Sequence, residues 1–306
     1  MEPWTFVHAT DIHIGSPRSF RYAPAWNANW QTARRQIIAM QPDLLLVGGD
    51  LARDGNIHRW ELESVKTELD TLPFPYHVIP GNMDTNNKHT RISGQEPGRD
   101  DMDLNVAMPD YDNYRAVFGR PWWTLVHKEV RFTGLGGMSL GSGLPLEGEL
   151  WAFLESLADL PRPRYHIWLT HYPPFTQSPD EPNWDITDRE QYREWYFDLD
   201  QPYRGRLLEI MRATGATRVL SGHTHVRKQL AAYGIHFDVG ASTAFTQAGP
   251  NWPDGDHTLG FQRYDVTDSG IAYTFVPLAE VSTAKGYGPG GHPRPDQRDY
   301  SKAWEK

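Results

Sequence analysis

The chain has 306 residues, of which 39% are hydrophobic and 23% charged, a composition typical of a globular protein with one or two domains. Cysteine is absent, which excludes disulfides and thiolate chemistry, and no apolar run is long enough to span a membrane. The formal net charge of -9 argues against non-specific nucleic-acid binding, which requires a basic face.

The first half of the chain alternates apolar strands with amphipathic helices. Strands are predicted at Trp4–Ala9, Asp43–Val47 and Pro75–Ile79, and helices at Ala28–Met40 and His58–Leu72. This β-α-β-α-β order predicts a parallel sheet with right-handed crossovers.

The second half is mixed and becomes all strand after residue 226. The predicted helices are Leu146–Leu160 and Arg204–Thr214. The predicted strands are Val130–Gly134, Tyr165–Thr170, Arg218–Leu220, Lys228–Tyr233, Ile235–Val239, Gly260–Val266 and Ile271–Val276. The whole pattern predicts two packed sheets with helices outside them, in one domain over residues 1–284.

Two long polar segments interrupt this pattern, at residues 85–113 and 172–203. Loops of this length in a compact domain are usually functional or disordered, and we interpret both as lid-like insertions beside a site. Residues 285–306, rich in glycine, proline and charge, are predicted to form an extended C-terminal tail. The first strand follows Met1 almost directly, without the features of a Sec signal, so a cytoplasmic location is expected.

Polar side chains follow five predicted strands where each strand ends. These clusters are Asp11-Ile12-His13, Gly49-Asp50, Gly81-Asn82-Met83-Asp84, His171 and Gly222-His223-Thr224-His225. Ligand sites of parallel sheets form at the carboxyl ends of strands, so we expect the clusters to converge. Their oxygen and imidazole donors suit Mn²⁺, Fe, Zn²⁺ or Co²⁺. Seven such ligands exceed the need of one ion, and an aspartate bridging two ions would account for the surplus.

The five ordered motifs resemble those of the calcineurin-like metallophosphoesterase superfamily: Asp-x-His, Gly-Asp, Gly-Asn-His-Asp/Glu, a lone His and Gly-His-x-His. The resemblance implies an α/β fold, a four-layer α/β/β/α sandwich of two mixed sheets. It also implies two divalent or mixed-valence transition-metal ions (Mn, Fe or Zn). One ion would be held by Asp11, His13, Asp50 and His225, and the other by Asp50, Asn82, His171 and His223.

The resemblance further implies hydrolysis of a small phosphate ester by attack of a metal-bridging hydroxide. The size of the chain and the run from Gly49 to Gly55 look most like small bacterial phosphodiesterases of the class III cyclic-nucleotide type. A phosphodiesterase is therefore expected. A phosphomonoesterase or pyrophosphatase acting on a nucleotide or sugar is one alternative, and a non-catalytic scaffold of the same fold is another. Homo-oligomer formation is left open.

One position departs from the superfamily pattern, because Met83 stands where Gly-Asn-His-Asp has histidine. That histidine normally lies beside the phosphoryl group as a charge stabiliser or leaving-group acid, and a thioether can serve as neither. The catalytic residues predicted are Asp50, Asn82, Asp84 and His89. Asp84 is either a partner of the ligands or a turn or helix cap. His89 either replaces the missing acid or is an exposed loop histidine.

Aromatic and basic residues near the motifs are candidates for substrate contact. The chain has 12 tryptophans, and aromatic rings can stack on a base or sugar, although most are expected in the core. Trp184 and Trp252, each in a loop rich in proline and aspartate, are the best candidates. Arg18, Arg21 and Arg53 follow ligand turns and could contact phosphate oxygens, with surface solvation as the alternative.

Overall fold

The computed structural model describes residues 2–19, 22–88, 106–184, 191, 195–246 and 255–286. The strands in these ranges are β1 (Trp4–Ala9), β2 (Leu44–Val47), β3 (Tyr76–Val78), β4 (Trp122–His127), β5 (Val130–Leu135), β6 (Tyr165–Thr170), β7 (Arg218–Ser221), β8 (Lys228–Ala232), β9 (Ile235–Val239), β10 (Gly260–Thr267) and β11 (Gly270–Pro277). The helices are α1 (Pro24–Met40), α2 (Arg59–Leu69), α3 (Asn82–Thr85), α4 (Asp112–Phe118), α5 (Pro145–Ser156) and α6 (Tyr203–Ala213), with 3₁₀ turns at Met108–Tyr111 and Leu157–Asp159. No helix in the described ranges combines the length and apolarity needed to cross a membrane.

The strands form two mixed sheets, which confirms that prediction. The first sheet has the order β11-β10-β1-β2-β3, with β1, β2 and β3 parallel and β10 antiparallel to both neighbours. The second has the order β4-β5-β6-β7-β9-β8, with four central parallel strands and antiparallel β4 and β8 at the edges. The parallel arrangement predicted for the first three strands is also confirmed.

Alternation of side chains along the strands gives each sheet two different apolar faces. Leu46 of β2 and Phe132 of β5 belong to a core that lies between the sheets. Leu45, the preceding residue of β2, packs in a second cluster with α1 and α2. Trp168 of β6 packs in a third cluster with α5 and α6. Helices therefore cover the outer face of each sheet, and the four-layer α/β/β/α sandwich is confirmed.

Some helix boundaries differ from those predicted. Helix α1 begins at Pro24 rather than Ala28, because a proline at the first helical position has a suitable φ and needs no partner for its nitrogen. Helix α2 ends at Leu69 rather than Leu72, since the following residues form single turn bonds. Apolar periodicity marks the middle of a helix better than its ends.

Within the described ranges, α3, α4 and β4 are among the elements that have no counterpart in the predicted pattern. Strand β4 lies at a sheet edge and is only partly buried along most of its length, which obscures the alternation of its side chains. The segment 85–113, interpreted as an insertion, contains a 3₁₀ turn and the first residues of α4 in its described part. The predicted tail, residues 285–306, lies almost entirely outside the described residues.

The carboxyl ends of five strands lie close together where the two sheets meet. These strands are β1, β2, β3, β6 and β7. The N–H of Gly48 donates to Ala9 at 2.8 Å, and the N–H of Gly222 donates to His171 at 3.0 Å. A Cβ on Gly222 would overlap the Thr10 hydroxyl, and one on Gly81 would overlap Asp50. Glycine at these two positions lets the turns approach closely enough to bring their polar side chains together.

Candidate metal centre

The turns at this edge bend the backbone sharply at the candidate ligands. Asp11, His13, Asp50, His223 and His225 have φ values between 44° and 70°, a region that residues other than glycine seldom occupy. The N–H of His13 donates to the Asp50 carbonyl at 2.9 Å, and the N–H of His223 donates to the Asp11 carboxylate at 3.0 Å. Strained conformations of this kind are maintained by surrounding structure and concentrate at functional sites.

The first group of converging side chains is Asp11, His13, Asp50 and His225, all buried, with ligand atoms within 4.8 Å of one another. His225 Nε2 lies 3.2 Å from Asp11 Oδ1 and 3.2 Å from His13 Nε2. His13 Nε2 lies 3.5 Å from Asp50 Oδ2. These are the four residues predicted to hold the first ion, and the structure brings them together.

The second group is Asp50, His171 and His223, which meet the same distance criterion. Asn82 joins them, because its Oδ1 lies 3.0 Å from His171 Nε2. The other oxygen of Asp50, Oδ1, lies 3.4 Å from the same His171 nitrogen. Asp50 thus presents one carboxylate oxygen to each group, as the bridging position requires.

Backbone carbonyls determine which nitrogen of three imidazoles faces the centre. Nδ1 of His171 bonds the Gly48 carbonyl at 2.9 Å. Nε2 of His223 bonds the Tyr196 carbonyl and Nδ1 of His225 bonds the Phe245 carbonyl, each at 2.8 Å. Only an N–H can donate to a carbonyl, so the opposite ring nitrogen of each neutral imidazole carries a lone pair directed into the site. In particular, the lone pairs of His171 and Asn82 face each other, an arrangement that a cation between them would stabilise. The residues therefore fit a metal centre.

His13 has a different partner from the other three histidines. Nη1 of Arg53 lies 3.2 Å from His13 Nδ1, and a guanidinium can only donate. A neutral imidazole that accepts at Nδ1 carries its proton on Nε2 and cannot also bind a metal there. Metal binding by His13 would therefore require the Arg53 guanidinium to turn away from this nitrogen.

Electrostatics at the site follow from burial and from the two neighbouring carboxylates. Burial lowers the pKa of His13 and of His223 well below the usual range, which keeps both rings neutral, as metal binding requires. Burial and the charge of Asp11 raise the pKa of Asp50. Burial opposes ionisation of Asp11 as well, but its electrostatic interaction and hydrogen bond with His225 bring its pKa below the usual range. Two buried acids so close together favour bound cations.

Asp84, predicted as catalytic or as a cap, lies behind the ligands. Its carboxylate accepts N–H bonds from Leu51 and Ala52 at 3.0 Å and from Gly81 at 2.8 Å. Burial and the charge of Asp50 raise the pKa of Asp84 to about 7, against the effect of the three N–H donors. The side chain ties the turn that carries Asp50 to the turn that precedes Asn82. His89, the other catalytic candidate, lies outside the described residues.

Two aromatic walls flank the candidate metal centre. Beside the first group, Trp26 and Phe245 stack with ring centroids 4.5 Å apart, and Phe245 lies 4.4 Å from the His225 ring. The Arg53 guanidinium lies 4.7 Å from the Trp26 ring. Both rings of this pair are partly exposed, so they form a surface next to the ligands.

The second wall surrounds His223 and consists of Tyr172, Tyr196 and Phe197, with ring centroids 4.1, 4.9 and 5.6 Å from the imidazole. Motif spacing had not indicated Tyr196 or Phe245, because neither lies beside a ligand in the sequence. Of the tryptophans favoured by the sequence, Trp252 lies outside the described residues and Trp184 is half-buried.

The chain resembles known proteins in both sequence and fold. The model of the calcineurin-like phosphoesterase family matches residues 5–227. A probable cyclic nucleotide phosphodiesterase of Pseudoalteromonas sp. (strain SM9913) is 33% identical over 89 residues, which are 29% of this chain and 34% of the relative. That match spans about a third of the relative's length.

Solved structures share the fold at low sequence identity. A purple acid phosphatase from yellow lupin (Lupinus luteus) seeds has a TM-score of 0.63 and 15% identity, covering 93% of this chain and 53% of that one. A dimetal phosphatase from Danio rerio has a TM-score of 0.56 and 11% identity, and the match covers 92% of this chain and 98% of that one. GAP50, the anchor in the inner membrane complex of Plasmodium, has a TM-score of 0.56 and 11% identity, covering 94% and 90%.

Proposed function

The chain belongs to the calcineurin-like phosphoesterase family, and on this premise we propose that it hydrolyses phosphate esters, preferentially phosphodiesters, at a centre of two metal ions. The observation that carries the proposal is the position of Asp50 between two groups of buried ligands. Without cations, so many buried acceptor atoms facing one another would be costly.

The proposed ligand sets follow the two groups: Asp11, His13, Asp50 and His225 for one ion, and Asp50, Asn82, His171 and His223 for the other. Manganese, iron or zinc would suit this combination of imidazole, carboxylate and amide donors. When bound, two such ions neutralise charge on the phosphate oxygens and lower the pKa of water.

The protein's own residues would position the centre and the substrate. Asp84 would hold the turns of Asp50 and Asn82 in place through its three backbone bonds. Arg53, once turned from His13, would remain within reach of a phosphate oxygen, to which a guanidinium bonds well. The segments 85–113 and 172–203 are proposed as lids, and the Tyr196 carbonyl that bonds His223 belongs to the second of them.

Support for a diester comes from the two aromatic walls and from the Pseudoalteromonas relative. A diester carries two organic groups, and a partly exposed ring surface lies on each side of the ligands. The relative is named a probable cyclic nucleotide phosphodiesterase. The alternatives are a phosphomonoesterase or pyrophosphatase acting on a nucleotide or sugar, and a scaffold. The scaffold alternative is favoured by the Plasmodium anchor, which shares the fold, and by Met83, which removes a proton donor. Retention of the complete ligand set favours an enzyme.

Screening of phosphate esters tests this proposal. Purified protein would be loaded with Mn²⁺, Fe²⁺ or Zn²⁺ and assayed on matched 4-nitrophenyl monoesters and diesters, on pyrophosphate and on nucleotides, with and without chelator. We expect the diester to react fastest and chelation to abolish turnover. Faster monoester or pyrophosphate cleavage would favour those alternatives. Full metal loading with no turnover on any ester would favour the scaffold.

Substitution of Trp26 tests the first aromatic wall as a platform for a planar group. Stacking on an aromatic side chain contributes about 1–3 kcal/mol per base, so Trp26→Ala should lower kcat/KM for 4-nitrophenyl thymidine 5′-phosphate about tenfold. Methyl 4-nitrophenyl phosphate has the same leaving group without the base and should change less than about threefold. Trp26→Phe, which keeps a ring beside Phe245, is the control. Equal changes on both diesters would contradict a base platform.

A further inference from the structure

The side chain of Met83 leaves the centre without the proton donor that histidine would supply at this position. Its sulfur lies 3.6 Å from Asn82 Nδ2, and its N–H donates to Asp50 at 2.8 Å. The residue therefore sits directly beside two proposed ligands. A thioether has no proton to give to a leaving oxygen.

Tyr196 presents a phenol hydroxyl to the same amide. Its Oη lies 3.3 Å from Asn82 Nδ2 and accepts a hydrogen bond from it. Its ring lies 4.9 Å from that of His223, and its backbone carbonyl bonds the same imidazole at 2.8 Å. Main chain and side chain together place this hydroxyl next to the second ligand group, and the residue is partly exposed toward solvent.

A buried charge network holds the segment that carries Tyr196. Lys88 Nζ lies 3.6 Å from carboxylate oxygens of both Asp198 and Asp200, and Arg204 Nη1 lies 3.1 Å from Asp198. The Lys88 ammonium also lies 4.5 Å from the ring of Trp195, the residue before Tyr196. Breaking buried ion pairs of this kind is strongly unfavourable. The network therefore fixes the position of the phenol before substrate arrives.

We propose that Tyr196 is the general acid that protonates the leaving group, in place of the histidine absent at position 83. This inference rests on the proposed function. As the oxygen of water bonds to phosphorus, the water releases one proton to solvent, and the ester P–O bond breaks with its electron pair on the leaving oxygen. That oxygen takes the Oη proton, and the phenolate regains a proton from solvent.

The chemistry of a phenol suits this role for an alkoxide leaving group. A phenol is a far stronger acid than an alcohol and can therefore give its proton to a departing alkoxide. The bond accepted from Asn82 does not use the O–H of Tyr196 and would stabilise the phenolate that forms. An aryl leaving group, with a pKa of about 7–10, departs without much need of the proton.

Tyr196→Phe removes only the hydroxyl and leaves both the ring and the carbonyl bond to His223. We expect kcat for a diester with an alkyl leaving group, such as thymidylyl-thymidine, to fall about 100-fold, and kcat for bis(4-nitrophenyl) phosphate to fall less than about threefold. Bound metal, measured by elemental analysis, should stay at the wild-type value.

Tyr172→Phe is the matched control, because its ring packs 4.1 Å from the same His223 while its hydroxyl donates to Asn87 at 3.2 Å. It should not discriminate between the two esters. Adding Met83→His to Tyr196→Phe should restore alkyl-ester cleavage at least tenfold by returning a proton donor.

Three outcomes would overturn the inference: equal losses on both esters, loss of metal in Tyr196→Phe, or an unchanged rate on the alkyl ester. A selective alkyl-ester defect in His89→Ala, with Tyr196→Phe silent, would assign the role to His89. A wild type that binds metal but cleaves no ester would contradict the proposed function instead.

Discussion

Asp50→Ala is expected to lose both metal ions and to reduce phosphoesterase turnover by at least a thousandfold. The carboxylate faces His13 with one oxygen at 3.5 Å and His171 with the other at 3.4 Å, so one substitution removes a ligand from both proposed sites. Ions in two-metal sites lie about 3.5–4 Å apart. At that spacing their mutual repulsion requires a shared anion. Elemental analysis and titration with Mn²⁺ would measure the loss.

Single-site variants provide the controls for this prediction. His225 belongs only to the first group and His171 only to the second. His225→Ala and His171→Ala should therefore each retain one ion, in contrast to Asp50→Ala. Circular dichroism and thermal unfolding would establish that the three variants are folded. An Asp50→Ala protein that keeps two ions and full turnover would refute the bridging assignment.

In the Tyr196→Phe background, Met83→His is expected to increase cleavage of alkyl phosphate esters about 10- to 100-fold, with less than a threefold change on 4-nitrophenyl esters. The reason is that general acid catalysis contributes about 10²–10⁴-fold, and it matters most where the leaving oxygen is strongly basic. The backbone bond from residue 83 to Asp50 does not depend on the side chain, so the ligands should keep their positions. For a series of diesters, the logarithm of the rate would be plotted against the pKa of the leaving group. The added proton donor should make the slope of this plot shallower.

Met83→Leu is the control for packing, since leucine keeps the apolar character and approximate volume without adding a proton donor. It should leave the ratio of alkyl to aryl rates unchanged. Equal gains or losses on both ester types in Met83→His would mean that position 83 acts through packing. A gain of the same size from Met83→His in the wild-type background would contradict the role proposed for Tyr196, because the wild type would then lack an efficient donor.

The layers of the fold and the convergence of the ligands follow from local patterns in the amino-acid sequence. Successive side chains of a strand point to opposite faces of the sheet. In an apolar run such as 44–47, alternate side chains therefore pack in the core between the sheets and against the helical layer. Asp11, Asp50 and His171 lie within three residues of the ends of strands whose carboxyl ends share one edge. Proximity in space therefore follows from proximity in sequence to a strand end.

The surroundings of the ligands, in contrast, depend on contacts between distant parts of the folded chain. Tyr196 lies far along the chain from both His171 and His223, in a segment without apolar periodicity, and its place depends on the buried pairing of Lys88 with Asp198 and Asp200. No local pattern encodes such contacts, because each joins residues separated by long stretches of chain. The same holds for the imidazole orientations, which depend on backbone carbonyls that any residue type could supply. Side-chain identity therefore specified the ligands, whereas their protonation, their strain and the neighbouring phenol arise from contacts that only the folded chain creates.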